Sequence, residues 1–295
     1  MHRSPLRYPG GKNRIANFIA QICVDNNISG LYVEPYAGGA SVALYLLFSN
    51  VVKNIIINDK DRSIYAFWYS VLHHTDKLCR LIQETDITID NWHKQKKIQN
   101  RKKYVGLLEL GFSTLFLNRT NRSGIISGGI IGGLSQSGTY KIDCRFNKEE
   151  IIRRIKQIAQ KKDCIKIYNL DAIQLIRKLE RQKTKKLSDA LIYFDPPYYK
   201  KGGYLYLNHY IKADHRLVAE AITSLPYKWI VSYDNVPEIQ TLYSGFQCIQ
   251  YSLRHTAHSS RDGGEILFFN PNIRIPQKYQ NPIDYKSFNR TMFCI

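Results

Sequence analysis

Four consecutive residues, Asp195, Pro196, Pro197 and Tyr198, combine the groups needed to bind a planar amine. They follow the bulky apolar residues 190–194, which are typical of a buried strand in a parallel sheet, and the prolines cannot extend its ladder. The Asp195 carboxylate and the Pro196 carbonyl accept hydrogen bonds, while the Tyr198 ring offers a face for stacking. We interpret the segment as a ligand-binding strand tip; a strand and turn with Asp195 as a cap is the alternative.

A second set of candidate residues, Tyr8-Pro9-Gly10-Gly11-Lys12, lies near the N-terminus. It precedes apolar residues at helical spacing. The two glycines let the backbone approach a ligand closely, and the lysine adds positive charge. These residues predict a ligand-binding loop at the start of a helix.

A third set is formed by Glu34, Pro35, Gly38 and Gly39, which follow a short apolar segment. The pattern predicts a strand, a tight glycine turn and a helix, with Ser41 as its N-cap. Such a turn places backbone N–H groups and a helix N-terminus around a ligand.

Two further carboxylates lie at predicted strand tips. The segment 54–59, with three consecutive isoleucines, predicts a strand that ends in Asp59, about 20 residues after the glycine turn, where a ribose-binding acid is expected. Asp171 lies between a predicted strand over residues 165–169 and a helix that begins at Ala172. The chain therefore repeats the combination of a buried strand with an acidic tip.

Together these segments resemble the Dam-like family of DNA adenine methyltransferases. The elements run from Tyr8 to Asn270 in the family's order: Pro-Gly-Gly-Lys, Glu-Pro-x-x-Gly-Gly, the ribose acid, a recognition insertion and Asp-Pro-Pro-Tyr. The resemblance implies methyl transfer from S-adenosyl-L-methionine to the exocyclic N6 amine of adenine in double-stranded DNA. It also implies an α/β fold, a Rossmann-like methyltransferase sheet, with an inserted, mostly helical target-recognition domain carrying a glycine-rich hairpin or loop.

The resemblance implies catalytic roles for Asp195, Pro196 and Tyr198. The carboxylate and the Pro196 carbonyl would accept the two N–H bonds of the target amine, and the tyrosine would stack on the base. Because a base inside a duplex cannot reach such a pocket, the adenine is expected to flip out of the helix.

The same resemblance implies the residues that bind the cofactor. Lys12 would meet its methionine carboxylate, Asp59 its ribose hydroxyls and Asp171 its adenine amine, although a helix N-cap is the alternative role for Asp171. The full set is Tyr8, Gly10, Gly11, Lys12, Glu34, Pro35, Gly38, Gly39, Asp59, Asp171 and Asp195.

A polar segment within the recognition insertion combines residue types that read bases and phosphates. Arg119 and Arg122 are the main candidates, and a structural arginine at a helix terminus is the alternative for each. Ser123-Gly124 departs from the pattern of family members specific for GATC. The predicted DNA-binding residues are Asn118, Arg119, Thr120, Asn121, Arg122 and Ser123.

Helical spacing predicts one helix over residues 64–103 and a second over residues 104–117. Residues 118–146 are rich in glycine and serine and predict a loop, with a hairpin strand at residues 139–142.

These patterns predict two domains. Residues 1–62 and 151–295 would form the catalytic, cofactor-binding domain, and residues 63–150 the inserted target-recognition domain.

Composition supports a nucleic-acid partner. The 295-residue chain has 43 lysines and arginines against 24 acidic residues, a formal net charge of +19. Its six cysteines lack C-x-x-C spacing, so neither a metal site nor a disulfide framework is expected. Because the sequence contains no signal peptide or long apolar span, we expect a cytoplasmic, nucleoid-associated protein without a membrane partner, in a prokaryotic or phage-infected cell.

The biological setting and two other functional classes remain open at this point. The enzyme could belong to a restriction-modification system with a cognate endonuclease, or act alone in a phage or orphan setting, as a monomer on DNA or a weak dimer. One alternative is an RNA or protein amine methyltransferase, since the strand tip suits other planar amines. The other is a catalytically silent DNA-binding relative.

Overall fold

The computed structural model describes residues 4–7, 12–181, 187–199, 210–253, 263–276 and 282–284. Three of the predicted cofactor-binding residues, Tyr8, Gly10 and Gly11, lie outside the described residues.

Seven strands and ten α-helices occur in this described part of the chain. The strands are β1 (Leu31–Glu34), β2 (Asn54–Asn58), β3 (Ile165–Tyr168), β4 (Ala190–Phe194), β5 (Lys228–Asp234), β6 (Gln247–Leu253) and β7 (Gly263–Phe269). The helices are α1 (Ala16–Asp25), α2 (Ser41–Phe48), α3 (Arg62–His73), α4 (Thr75–Glu84), α5 (Ile89–Asn100), α6 (Leu107–Thr120), α7 (Lys148–Ala159), α8 (Ala172–Arg181), α9 (Lys212–Thr223) and α10 (Pro237–Leu242).

The strands form one mixed sheet in the order β3-β2-β1-β4-β5-β7-β6. β4 pairs in parallel with β1 and β5, whereas β7 is antiparallel to both β5 and β6. All five residues of β4 are buried, as its apolar sequence predicts. Because the strand order reverses between β1 and β4, their carboxyl ends mark the position where open α/β sheets bind ligands. The mixed α/β class and the Rossmann-like sheet agree with the prediction.

The structure contains more helices in the insertion than the sequence pattern predicts. Instead of one helix over residues 64–103 there are three, α3 to α5. The Asp61 side chain accepts a hydrogen bond from the Ser63 backbone N–H and caps α3, while the Thr88 side chain accepts one from Asn91 and caps α5. Of the two, the Thr88 cap lies within residues 64–103, where it starts a new helix inside an apolar pattern that by itself predicts a continuous one. The hairpin strand predicted at residues 139–142 is also wrong, because these residues form turns and bends.

The chain divides into two compact units. Unit 1 comprises Met1–Gly11, Ala37–Ala40 and Ile57–Asp171, and it holds α3 to α7. The predicted recognition domain, residues 63–150, falls within this unit. Unit 2 comprises Lys12–Tyr36, Ser41–Ile56 and Ala172–Ile295, and it holds β1 and β4 to β7.

The core of unit 1 depends on a close approach of α6 to α3. Gly111 of α6 faces α3 so tightly that a Cβ atom at this position would lie 2.5 Å from the carbonyl oxygen of Ala66 and from the Ser70 hydroxyl. Glycine is therefore required by packing here, despite its low helix propensity.

Candidate active site

The carboxylate of Asp195 extends from the end of β4 in unit 2, and its two oxygens have different environments. Its Oδ1 atom accepts hydrogen bonds from Lys12 Nζ at 2.9 Å and from Ser232 Oγ at 2.6 Å. Ser232 lies on the neighbouring parallel strand β5 and receives a hydrogen bond from Tyr193. The Oδ2 atom accepts no hydrogen bond from any described residue, and the side chain is 24% exposed. One oxygen is therefore held by the protein while the other is available to a ligand.

Lys12 is the centre of a buried polar network. It begins a 3₁₀ helix, Lys12–Ile15, that leads into α1. Besides Asp195, its Nζ atom donates to the Tyr198 hydroxyl at 3.0 Å and lies 3.4 Å from Glu265 Oε2. Burial by itself lowers the pKa of Lys12, but the nearby Asp195, Tyr198 and Glu265 outweigh this effect and raise its pKa well above the ordinary value. The ammonium form is thus the stable form.

Glu265 completes this network from β7, the antiparallel strand. The hydroxyls of Tyr198 and Tyr251 each donate a hydrogen bond to a different oxygen of its carboxylate. Only 2% of the Glu265 side chain is exposed, so its charge is compensated by Lys12 and these hydroxyls rather than by water. Sequence reasoning missed the roles of Glu265 and Tyr251; the available signal was an acidic residue beside the buried apolar run 266–269.

The surroundings tune Asp195 as a hydrogen-bond acceptor. Burial raises the pKa of Asp195, whereas the Lys12 ammonium and the Ser232 hydroxyl act in the opposite direction. The segment that follows is fixed as well, since the Tyr199 backbone N–H donates to the Asp234 carboxylate at 2.8 Å. This arrangement can bind an N–H group without a metal or a covalent intermediate.

Glu34 lies at the end of β1 and is used within unit 2. Its Oε1 atom accepts hydrogen bonds from the Tyr32 hydroxyl at 3.1 Å and from the Ala43 backbone N–H at 3.0 Å, in the first turn of α2. Burial raises the pKa of Glu34 to about 8. Pro35 follows and is buried. A carboxyl group at a helix N-terminus stabilises the helix, so the structure gives Glu34 a structural contact.

The glycine turn and Asp59 come together within unit 1. The Gly38 backbone N–H donates to Asp59 Oδ2 at 3.0 Å, and the Asp61 N–H donates to Asp59 Oδ1 at 2.9 Å. Gly38 has φ +45°, and its carbonyl accepts a hydrogen bond from Trp68. Gly39 is buried beside it. Burial, with a smaller effect from Asp61, raises the pKa of Asp59 to about 7.

Asp171 is the last residue of unit 1 and directly precedes α8. Its Oδ2 atom lies 3.2 Å from the Lys60 ammonium, and its side chain is partly exposed. The preceding turn is fixed by Asn58, which exchanges two hydrogen bonds with the backbone of Leu170. Asp171 therefore stands at a well-defined strand tip with part of its carboxylate accessible.

Three polar residues predicted to bind DNA use their side chains inside unit 1. Asn118 bonds to the backbone N–H of Arg7 at 2.7 Å and donates to the carbonyls of Arg7 and Gly124. Thr120 donates to the Phe116 carbonyl. Asn121 is the third residue, and all three are buried.

Asn121 organises the loop that follows α6. It accepts a hydrogen bond from Trp92 Nε1 at 2.7 Å and donates to the carbonyls of Ile125 and Ile126 at 2.9 Å each. It also forms an isolated antiparallel bridge with Ile130. The loop from residue 121 to residue 130 is therefore closed around this one amide.

The two arginines predicted to read DNA have different environments. Arg119 donates to the backbone carbonyls of Pro5 and Arg145, and burial together with the nearby Arg154 and Arg7 lowers its pKa to about 10. Arg122 is exposed, as is Ser123, the residue that follows it. Exposure thus separates Arg122 and Ser123 from the other four predicted DNA-binding residues.

The described residues offer neither a metal site nor a membrane-spanning helix. They contain no cluster of three or more His, Cys, Asp or Glu side chains that could hold a metal ion. None of the helices in the same residues is long and apolar enough to cross a membrane.

Comparison with known proteins identifies a family. The family model described as "D12 class N6 adenine-specific DNA methyltransferase" matches residues 8–256, a range that includes Lys12, Asp59 and Asp195. A search of curated proteins finds no match.

Proposed function

Because the chain belongs to the D12 class N6 adenine-specific DNA methyltransferase family, we propose that Asp195 and Pro196 bind the target amine of adenine. The enzyme methylates adenine N6 in DNA, which distinguishes it from RNA and protein methyltransferases. The observation that carries the proposed residue roles is the asymmetry of Asp195. Its Oδ1 atom is held by Lys12 and Ser232, and its Oδ2 atom is left for the substrate.

The chemistry requires orientation more than acid–base activation. The lone pair of the adenine amine is delocalised into the ring, so the amine is a poor nucleophile. When Asp195 Oδ2 and the Pro196 carbonyl each accept one N–H bond, the nitrogen can pyramidalise and direct its lone pair outward. Orientation of this kind contributes up to roughly 7–11 kcal/mol in favourable intramolecular reactions. Methyl transfer would exchange the donor's S–C bond for an N–C bond and leave positive charge on the nitrogen, which the nearby Asp195 carboxylate would stabilise until it accepts the departing proton.

Tyr198 and its partners set the geometry of this tip. The Tyr198 hydroxyl accepts a hydrogen bond from Lys12 and donates one to Glu265, so the ring is fixed at its far end. We propose that the ring stacks on the flipped adenine. Flipping costs a few kcal/mol, which stacking and the two hydrogen bonds offset.

The family implies S-adenosyl-L-methionine as the methyl donor, and the donor groups in unit 1 fit its adenosyl part. Asp59 presents a carboxylate that still has acceptor capacity beyond its two backbone N–H partners, which suits two ribose hydroxyls. Gly38 and Gly39 allow close approach of the backbone, and Asp171 would accept the adenine amine. When bound, the cofactor supplies an electrophilic methyl group on a sulfonium.

The role proposed for Lys12 follows its observed contacts. Its ammonium pairs with Asp195 and Glu265, so we assign it to positioning the catalytic carboxylate rather than to the methionine carboxylate predicted from the resemblance. The cofactor contacts of Tyr8, Gly10 and Gly11 stay predictions, as do those of Glu34 and Pro35.

We propose that Arg122 and Ser123 contact DNA directly. Both are exposed, whereas Asn118 and Asn121 shape the segment that presents them. Arginine contacts with phosphates make binding fall steeply with salt, and arginine contacts with base edges provide specificity.

We also propose a biological setting for the enzyme. The enzyme would act as a monomer or weak dimer on DNA, either with a cognate restriction endonuclease or as an orphan or phage enzyme. The mass of its complex with a short duplex would establish the stoichiometry.

The proposed roles can be tested by sequencing DNA from a methylation-deficient host that expresses the protein, the Asp195→Ala variant or the Asp195→Asn variant. We expect N6-methyladenine within one short motif for the wild type and none for Asp195→Ala, with DNA binding nearly intact. Asp195→Asn retains one acceptor atom and should leave only weak activity. If a folded Asp195→Ala variant methylated DNA to the wild-type level, the catalytic assignment would be refuted.

A further inference from the structure

A cavity of about 630 Å³ lies in the glycine-rich part of unit 1, and neither the proposed chemistry nor the cofactor uses it. Its wall includes Arg122, the ring of Tyr140 and backbone from three glycines. The volume is within the range of sites that bind small organic molecules. Its lining hydroxyls come from Ser135, Ser137 and Thr139.

The chemistry of this lining indicates what it can hold. Arg122 supplies a cation, and no aspartate or glutamate lines the cavity, so a negative group is favoured there. Tyr140 is 64% exposed, which is unusual for a large aromatic side chain and leaves a ring face for stacking. A cation, an exposed aromatic ring and several hydroxyls together suit a planar base joined to a phosphate.

The cavity wall is held in place by Gln136. Its side-chain amide donates to the carbonyls of Ile131 at 2.8 Å and Gly133 at 2.6 Å, while its carbonyl accepts from the Ile142 N–H at 2.8 Å. Gly132 has φ +83°, and a Cβ atom there would lie 2.7 Å from the Tyr140 carbonyl oxygen. These turns bring Tyr140 to the wall and require glycine, so the shape is built before any ligand binds.

Arg122 and Tyr140 are oriented by separate contacts. The Arg122 backbone N–H donates to the Gly129 carbonyl at 2.9 Å, at the closed base of the loop that Asn121 organises. The Arg145 guanidinium lies 6.0 Å from the centre of the Tyr140 ring, within the range of a cation–π contact.

We propose that this cavity binds one nucleotide of the substrate DNA other than the target adenine. The base stacks on Tyr140, the phosphate pairs with Arg122, and the hydroxyls contact the edge of the base. The cavity therefore contributes to sequence recognition. This inference rests on the proposed function, since it requires DNA as the ligand.

The test is a double-mutant cycle between protein and DNA. Duplexes carrying the methylated motif, each with an abasic site at one position in turn, are titrated with the wild type, Tyr140→Ala and Tyr104→Ala. Tyr104 is a matched control because it is 85% exposed and does not line the cavity. We expect Tyr140→Ala to weaken binding of intact DNA about 5- to 150-fold, the range for loss of one stacked base. At one abasic position the affinity of the wild type should fall by a similar factor relative to intact DNA. The affinity of Tyr140→Ala, already weakened, should fall little further at that position.

Two further variants complete the experiment. Tyr140→Trp should restore most of the affinity, because it keeps a stacking face. Arg122→Ala should lower the slope of log affinity against log salt by about 1, as expected for loss of one phosphate contact. The control Tyr104→Ala should lose as much affinity as the wild type at every abasic position. The inference is overturned if Tyr140→Ala does the same. Failure of the proposed function would look different, because the wild type itself would then methylate no DNA.

Discussion

The Lys12 network predicts that two substitutions shift the pH dependence of methyl transfer in opposite directions. Lys12→Met removes the cation beside Asp195, so the pKa of Asp195 should rise further above its ordinary value. Glu265→Gln removes a negative charge that helps to raise the pKa of Asp195, so this pKa should fall. If ionised Asp195 is the acceptor, the acid limb of the rate profile should move up for the first variant and down for the second.

The size of the first shift follows from the geometry. Unit charges 2.9 Å apart, the separation of Lys12 Nζ and Asp195 Oδ1, interact by about 6 kcal/mol at an effective dielectric constant of about 20, or about 4 pKa units. The Ser232 hydrogen bond remains and water can enter the space left by the lysine, so we expect a rise of about 1–3 units. The Glu265→Gln shift should be smaller, because Lys12 lies between the two carboxyl groups.

The assay is single-turnover methyl transfer to a duplex at saturating cofactor, from about pH 5 to about pH 9. Arg216→Met is the matched control, since its ion pair with Glu220 is well exposed and contributes little. An unchanged acid limb in a folded Lys12→Met protein would refute the reasoning. A raised KM for the cofactor with an unchanged pH profile would instead indicate that Lys12 binds the cofactor's methionine carboxylate.

Three other predictions follow from single residues. Burial raises the pKa of Asp59 to about 7, and its ionised form is the better acceptor for the ribose hydroxyls. Affinity for S-adenosylhomocysteine, measured by calorimetry, should therefore rise with pH by up to about tenfold per unit and level off above about pH 7. Asp59→Asn should bind this ligand weakly and with little pH dependence. The pKa of Glu34 is about 8 instead of 4.5, so its contribution to stability is complete below about pH 4.5 and is lost as pH rises through about 8. Between these pH values the wild-type free energy of unfolding, measured in urea, should fall by up to about 1.4 kcal/mol per pH unit more steeply than that of Glu34→Gln. Identical slopes for the two proteins would contradict the assignment. Gly111→Ala should lower the free energy of unfolding by about 1–3 kcal/mol, because its Cβ would meet the Ala66 carbonyl; a more stable variant would show that α3 and α6 can separate freely.

Local patterns predicted the strand tips well, and contacts between distant segments explain what they missed. The tip at Asp195 could be predicted because one short apolar run and two prolines determine it. The pairing of Lys12 with Glu265 could not, since it depends on β7 lying beside β5 in the sheet. Asn121 has a residue type that suits both base reading and loop capping, and only the position of Trp92 distinguishes the two roles.

The contact between Asn118 and the backbone of Arg7 limits how specificity can be engineered. Gly124 packs against the same backbone, since a Cβ atom there would lie 2.5 Å from the Arg7 carbonyl oxygen, and its φ of +76° also disfavours other residues. A segment transplanted from another enzyme would have to place Asn118 and Gly124 at the same positions, or the N-terminal segment around Arg7 would lose these contacts. Libraries aimed at new target sites should therefore keep Asn118 and Gly124 constant and vary Arg122 and Ser123.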